Sequence, residues 1–278
     1  WLSERFNSVF YEEIIIGISV MYLCIDIGNS QIHSGVFNVN GEILVQFRHN
    51  TSHVGSSDQF ALFILQVLRE NGIDPTQIKR VAIASVVPSV DYSVTSAFIK
   101  YFKITPLFLK PGVKTGIKIA SNNPGEIGAD LIAGAVGGIS KYPNKHLLIF
   151  DFGTATTVIY ITPQAEFVGG AVLPGIRLMM ESLQHNTAKL FTVNISAPKQ
   201  AISKDTRMAI QSGLYYSQTG AVKELIAQVI HEYAIERRDL IVIGTGGFAT
   251  LLNTSSVFDD IVPDLLLLGL KEILNINE

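Results

Sequence analysis

The chain reads as short apolar runs that alternate with apolar stripes at helical spacing. Tyr22 to Ile27 is apolar except for Asp26 near its end, and the polar turn Gly28–Ser30 leads into a second β-rich run to Phe37. Between Ser57 and Asn71, residues Phe60, Phe63, Ile64, Val67 and Leu68 recur at the helical period, which predicts an amphipathic helix closed by Gly72. Arg80 to Val87 then reads as a buried strand. The pattern returns in the second half. Leu147 to Ile161 holds a strand, Asp151, a small polar turn and another strand. Ala221 to Tyr233 is an amphipathic helix, and Leu240 onward is a strand that runs into the glycine turn Gly244–Gly247. Strands that alternate with helices imply an α/β fold with a largely parallel sheet.

The two halves echo each other. "YLCIDIGNSQIHSGVF" from Tyr22 is answered by "LLIFDFGTATTVIYI" from Leu147, each with an Asp-apolar-Gly step at the end of its first strand. Asp26 and Asp151 are 125 residues apart, and a glutamate follows each pair of strands, at Glu42 and Glu166. A module written twice predicts two lobes with a cleft between them, a favoured position for a ligand. The lobes are expected over residues 21–138 and 139–278, with residues 1–20 an extension outside the fold. Ile14 to Ile25 is apolar for only about twelve residues, too short to span a bilayer. Glu12 and Glu13 stand where a signal peptide would be positively charged. The expected location is the cytoplasm, with no membrane partner.

Composition narrows the classes. Hydrophobic content of 47% with 16% charged residues describes a globular protein with a large core. A net charge of −3, with no basic cluster beyond Arg237-Arg238, argues against nucleic acid as a partner. The one cysteine, Cys24, excludes an intramolecular disulfide and sits in an apolar run, as a small core residue would. The six histidines are scattered without zinc-ligand spacing.

The candidate chemistry lies at the two Asp-Gly turns. In "DIGNS", Gly28 lets the backbone approach a ligand closely, Asn29 and Ser30 add donors, and Asp26 can hold magnesium, usually through water. Taken alone, the stretch reads rather as a hairpin turn with a structural aspartate. "DFGTATT" offers Asp151 with Thr154, Thr156 and Thr157, and the two turns as a pair favour phosphate binding. The glycines of "GTGG", Gly246 and Gly247 among them, could let a base or ribose lie on the backbone. There is no GxxxxGK[ST] and no GxGxxG after the first strand, so neither a P-loop nor a dinucleotide fold is indicated. In "GEIGADLIAG", Asp130 stands in the first turn of a predicted helix, where the helix dipole favours a carboxylate. It reads either as a helix-start residue or as a general base.

In order along the chain, "DIGNS", "NPGEIGADLIAGA", "DFGTATT", "GGAVLPGI", "MESLQHNTAKL", "DTRMAIQSGLYYSQTGAV" and "IGTGGFATLL" resemble type III pantothenate kinase. That family lies within the actin, hexokinase and Hsp70 superfamily of two-lobed ATP-dependent proteins. The resemblance implies two actin/ribonuclease-H-like lobes, each a mixed sheet flanked by helices, with an interlobe cleft. It implies ATP-dependent phosphorylation of pantothenate, the first step of coenzyme A synthesis, by a homodimer that needs magnesium and a monovalent cation, potassium or ammonium. Carried over by position, Asp26, Ile27, Gly28, Asn29, Ser30, Gln31, Ile32 and His33 would hold the ATP phosphates, with Asp26 near magnesium. Thr154, Gly246 and Gly247 would touch ATP, and Asp151 would bind the monovalent cation. Asp130 would be the base on the pantothenate hydroxyl. Gly128, Ala129, Asp130 and Leu131 would line the acceptor pocket with Ser121, and Thr206 would reach pantothenate near the dimer interface.

Two positions depart from the family pattern. Arginine usually follows the aspartate of the "GAD" step, and here it is Leu131. Tyrosine usually stands three residues before the proline of the "NP" step, and here that position is Ser121. Both belong to the acceptor pocket. The alternatives that this leaves open are a kinase for another small hydroxyacid, and a nucleotide-binding relative with a non-catalytic or regulatory role.

Overall fold

The computed structural model describes residues 20–253 and 256–277, so the extension expected over 1–20 lies outside the described residues except for Val20. The chain forms two compact units. The first takes the described residues of Trp1–Thr115, Ile127–Ala133 and Leu266–Glu278, and the second takes Gly116–Glu126 and Gly134–Leu265.

The first unit carries β1 (Met21–Ile27), β2 (Gln31–Asn38), β3 (Ile43–Asn50), β4 (Ile78–Ser85) and β5 (Leu107–Phe108) in the sheet order β3-β2-β1-β4-β5. The second carries β6 (Lys118–Ile119), β7 (His146–Phe152), β8 (Ala155–Ile161), β9 (Glu166–Pro174), β10 (Leu240–Thr245) and β11 (Asp260–Ile261) in the order β11-β10-β7-β8-β9-β6. The internal echo is therefore a repeat of topology. In each unit a three-strand antiparallel meander is followed by a strand that pairs parallel to the first. These pairings correct the largely parallel sheet read from the alternation alone and bear out the mixed sheets that the resemblance implies. Both sheets are mixed, because turns as short as Gly28–Ser30 and Gly153-Thr154 can only join antiparallel neighbours.

The first-unit core follows from strand alternation. Leu23, Ile25 and Ile27 face one way and pack with Ile32 and Val36 against Phe60, Ile64 and Leu68 of helix α1 (Ser57–Glu70). Ser56 caps α1 in a reciprocal box with Gln59. Gly72 ends the turn after it at φ +71°, a conformation that glycine adopts without steric cost. Helix α2 (Pro88–Ala97) adds Val94 and Ala97 to the same cluster. Cys24 points the other way and is fully buried, and burial pushes its thiol far above the ordinary range, as suits an inert core residue.

Helix α3 (Ala129–Lys141) begins in the first unit and continues in the second, where Gly138 lies against Ile149 and Leu147 of β7. The second-unit core joins Leu148, Phe150, Phe152, Val158 and Tyr160 to Tyr215 and Val222 of α5 (Thr206–Glu232). Preceding α5 is α4 (Ile176–His185), and the short α6 (Ala249–Leu252) follows β10. Periodicity indicates only Ala221 to Tyr233 as helical, yet α5 starts fifteen residues earlier, capped by Asp205, whose carboxylate accepts from the Met208 amide at 3.1 Å. The early half is rich in Gly, Ser and Thr, which blurs the apolar stripe without preventing the helix.

The last helix, α7 (Leu265–Ile276), belongs to the first unit from Leu266 onward. Leu267 lies over Gly35 of β2, and the Lys271 ammonium stands 4.4 Å from the centre of the Tyr22 ring. Just past the helix, Asn277 exchanges hydrogen bonds with the Lys114 backbone, and its carbonyl accepts from Arg80 at 3.0 Å.

Candidate active site

In the first unit, Asp26 is the penultimate residue of β1 and the turn Gly28–Ser30 follows it directly. The turn closes with the Gly28 amide on the Gln31 carbonyl at 3.0 Å. Its outer residues Asn29, Ser30 and Gln31 are exposed, while Ile32 and His33 are buried. Asp26 pairs across the ladder with His33, whose ring lies 3.4 Å from the Gln46 amide oxygen. Thr51, after β3, is buried and fastens the turn from behind. Its hydroxyl donates to the Gly28 carbonyl at 2.7 Å and its amide to the Ser30 carbonyl at 3.2 Å. The turn is thereby tied down from its buried side, while Asn29, Ser30 and Gln31 stay exposed.

Asp130 reaches the same end of the sheet through two contacts. The Val86 amide, just past β4, donates to the Ile27 carbonyl at 3.1 Å. A Cβ placed on Gly128 would lie 3.7 Å from Val86 and would collide with Asp130 Oδ1. Gly128 is thus bare where the carboxylate sits. Asp130 occupies the first turn of α3, and its Oδ1 accepts from the Leu131 amide at 2.8 Å. Burial is the main influence on its pKa and raises it above the ordinary aspartate range, while the backbone amides of Leu131 and Asp130 pull it partly back. The first unit therefore brings Asp26, the phosphate-loop candidates and the "GADL" step, including Ala129 and Leu131, to the carboxyl ends of β1 and β4. Ligands in open α/β sheets bind at such ends.

The second unit repeats the arrangement. Asp151 is the penultimate residue of β7, flanked by Thr245 of β10 and Thr157 of β8. Thr154 is exposed in the turn that follows. Gly246 takes φ +84° and lies so close that a Cβ there would collide with Asp151 Oδ1 and come within 2.7 Å of the Phe152 amide nitrogen. A side chain added at Gly247 would meet nothing within 4 Å. The glycine turn and the second Asp-Gly turn thus form one surface. Ser121 and Thr206 lie elsewhere in the unit. Ser121 follows β6 and its hydroxyl accepts from the Asn123 amide at 3.4 Å, and Thr206 is exposed at the start of α5.

The family pattern of type III pantothenate kinase matches residues 22–228. A type III pantothenate kinase of Legionella pneumophila (strain Paris) is 47% identical over 251 residues, covering 90% of this chain and 97% of the relative. The chain belongs to the type III pantothenate kinase family. Another member, type III pantothenate kinase 1 of Francisella tularensis subsp. holarctica (strain OSU18), is 46% identical over 258 residues, 93% of this chain and 100% of that one. Among solved structures, a conserved Baf-family protein from Campylobacter jejuni superposes with a TM-score of 0.55 at 21% identity, covering 92% of this chain and 98% of that one. At that identity the likeness speaks for the fold alone, two α/β units each built on a mixed sheet.

Among the described residues no three His, Cys, Asp or Glu side chains cluster as a ready-made cage. Single carboxylates at strand ends fit magnesium, which keeps most of its waters and takes phosphate oxygens as further ligands. Among the described residues no helix is long and apolar enough to cross a membrane.

Sequence reasoning did not single out Thr51 or Val86, which hold the first turn, nor Gly175, whose close approach to the Gly153 and Thr154 carbonyls supports the second. Gly175 stands within the quoted "GGAVLPGI" step, so a signal for it existed. Thr51 had none.

Proposed function

We propose that this chain transfers the γ-phosphoryl group of ATP to the terminal hydroxyl of pantothenate, giving 4′-phosphopantothenate at the first step of coenzyme A synthesis. The observation that carries the reading is the Asp130 carboxylate, seated over a bare Gly128 at the sheet end that holds the Asp26 turn, in a member of this family. Asp130 accepts the proton of the pantothenate hydroxyl as that oxygen attacks the γ-phosphorus, and ADP leaves. Phosphoryl transfer asks mainly for positioning and charge neutralisation, so one well-placed carboxylate suffices as base.

The turn Asp26–His33 holds the ATP phosphates, with Asp26 beside magnesium, and Thr154, Gly246 and Gly247 contact the nucleotide. Asp151 takes potassium or ammonium. The metal ions, when bound, neutralise charge on the phosphate oxygens. Gly128, Ala129 and Leu131 are acceptor contacts in the first unit, and Ser121 and Thr206 are the candidate acceptor contacts of the second. A homodimer fits the exposed apolar side chains of Leu178 and Leu183 on α4 and Met208 and Tyr216 on α5. A cytoplasmic location fits this reading, since ATP and its magnesium complex are abundant there.

Purified chain incubated with ATP, magnesium and potassium should convert pantothenate to phosphopantothenate. No product at millimolar pantothenate refutes the reading. A second reading, a kinase for another small hydroxyacid, is favoured by Leu131 and Ser121 at acceptor positions. Turnover of a pantoate-like analogue in preference to pantothenate would establish it.

A further inference from the structure

Gln218 lies on α5, twelve residues beyond Thr206, and is buried with 3% of its surface exposed. A buried primary amide has to satisfy both ends, and each end here reaches a different strand. Its carbonyl oxygen accepts from the Thr156 hydroxyl at 2.9 Å. Its NH2 group donates to the Pro174 carbonyl at 2.9 Å and lies 3.2 Å from the Met179 sulfur.

Both strand residues flank the Asp151–Thr154 turn. Thr156 is itself buried and pairs with Phe152 across the β7–β8 hairpin, two residues beyond Thr154. Pro174 pairs with Ala155 and is followed by Gly175, which packs on the Gly153 and Thr154 carbonyls. One side chain therefore bolts the base of the turn to the strand end that buttresses it.

We infer that Gln218 is a positioning residue for nucleotide binding, which fixes the Asp151–Thr154 turn through Thr156 and Pro174 without touching ATP itself. The inference rests on the proposed role of that turn in holding ATP. An apolar side chain of similar volume would keep the packing of α5 and strand both the Thr156 hydroxyl and the Pro174 carbonyl. The turn would lose its register while the Asp130 site, in the other unit, would keep its own. Thr206 would be little disturbed, since it stands about 18 Å away along the helix.

Gln218→Met in the full-length chain should raise the KM for ATP roughly tenfold, with the KM for pantothenate changed less than about twofold. Thr156→Val should act in the same direction, and Thr156→Ser, which keeps the hydroxyl, should restore wild-type values. Equal KM values for ATP in Gln218→Met and wild type overturn the inference. So does a parallel rise in both KM values with a lowered Tm, the mark of a purely structural role. Calorimetric titration of ADP into both proteins reads the same effect without turnover. If the wild-type chain binds ADP but phosphorylates nothing, the pantothenate reading fails, while a weaker ADP affinity in Gln218→Met still upholds the positioning role.

Discussion

Gly128 and Asp130 share one space, since the carboxylate oxygen of Asp130 lies where a Cβ on residue 128 would be. Gly128→Ala should therefore push the carboxylate aside. The colliding atom ends a short side chain, so the fold can yield cheaply while the base loses its place. The variant should lose about a hundredfold in kcat and less than about 1 kcal/mol in stability. Steady-state kinetics beside urea denaturation would show it, and an active Gly128→Ala would remove Asp130 from the reaction.

Burial of Asp130 makes a prediction for pH. Its pKa is raised, so the folded chain holds this proton more tightly than the unfolded chain does. Stability is thus unaffected below the ordinary aspartate range and falls as pH rises from there through the raised value, because ionising a buried carboxylate is costly. The acid limb of kcat/KM should sit above the ordinary aspartate range. Asp130→Asn should abolish turnover and melt higher than wild type at neutral pH. A variant that melts lower would contradict the burial argument.

Leu131 is the first residue to change if acceptor affinity is to improve. An arginine there could pair with the pantothenate carboxylate, as the family pattern implies. Leu131→Arg should lower the KM for pantothenate, by up to about thirtyfold if the contact contributes about 2 kcal/mol, and leave that for ATP unchanged. No gain would show that another group already meets the carboxylate or that the acceptor differs.

Gly246 cannot be replaced as cheaply as Gly128. Its neighbours include the Phe152 backbone, which cannot swing away, and its φ of +84° costs an alanine about 1–2 kcal/mol by itself. Gly246→Ala should lower Tm and weaken ADP binding together, as thermal denaturation and calorimetry would record.

Ser34 offers a gain in stability. Its hydroxyl is buried among apolar neighbours on β2 and has no hydrogen-bond partner. Ser34→Ala removes an unmet polar group and should stabilise the chain by about 1 kcal/mol. Chemical denaturation tests it, and a loss of that size would mean the hydroxyl has a partner in solution.

Much of this was legible in the residues. Asp26 and Asp151 announce themselves as charges at the ends of apolar strands, and Gly28 and Gly246 mark the turns beside them. Asp130 stood out as a lone charge ahead of Leu131, Ile132 and Ala133. The supports were not legible. Thr51 and Gln218 are single polar residues whose partners lie 23 and 62 residues away, and no local period encodes such a contact. The first half of α5 was hidden because its small polar residues break the apolar stripe that marks a helix. Alternation of strands and helices points to a parallel sheet, and only the shortness of the β1–β2 and β7–β8 turns marks the antiparallel pairs.

Helix α7 has a consequence for how the chain is made. Arg80 and Asn277 hydrogen-bond across a separation of 197 residues, and α7 covers the face of β1 and β2 that carries Tyr22 and Gly35. Those strands leave the ribosome long before the helix that shields them. For most of its synthesis the nascent chain must keep that apolar face out of reach of other chains, and its first unit can close only after the second has been translated. Contacts of such span form slowly. Translation, rather than the stability of the finished fold, is the stage at which this topology leaves its apolar face most open to misassembly.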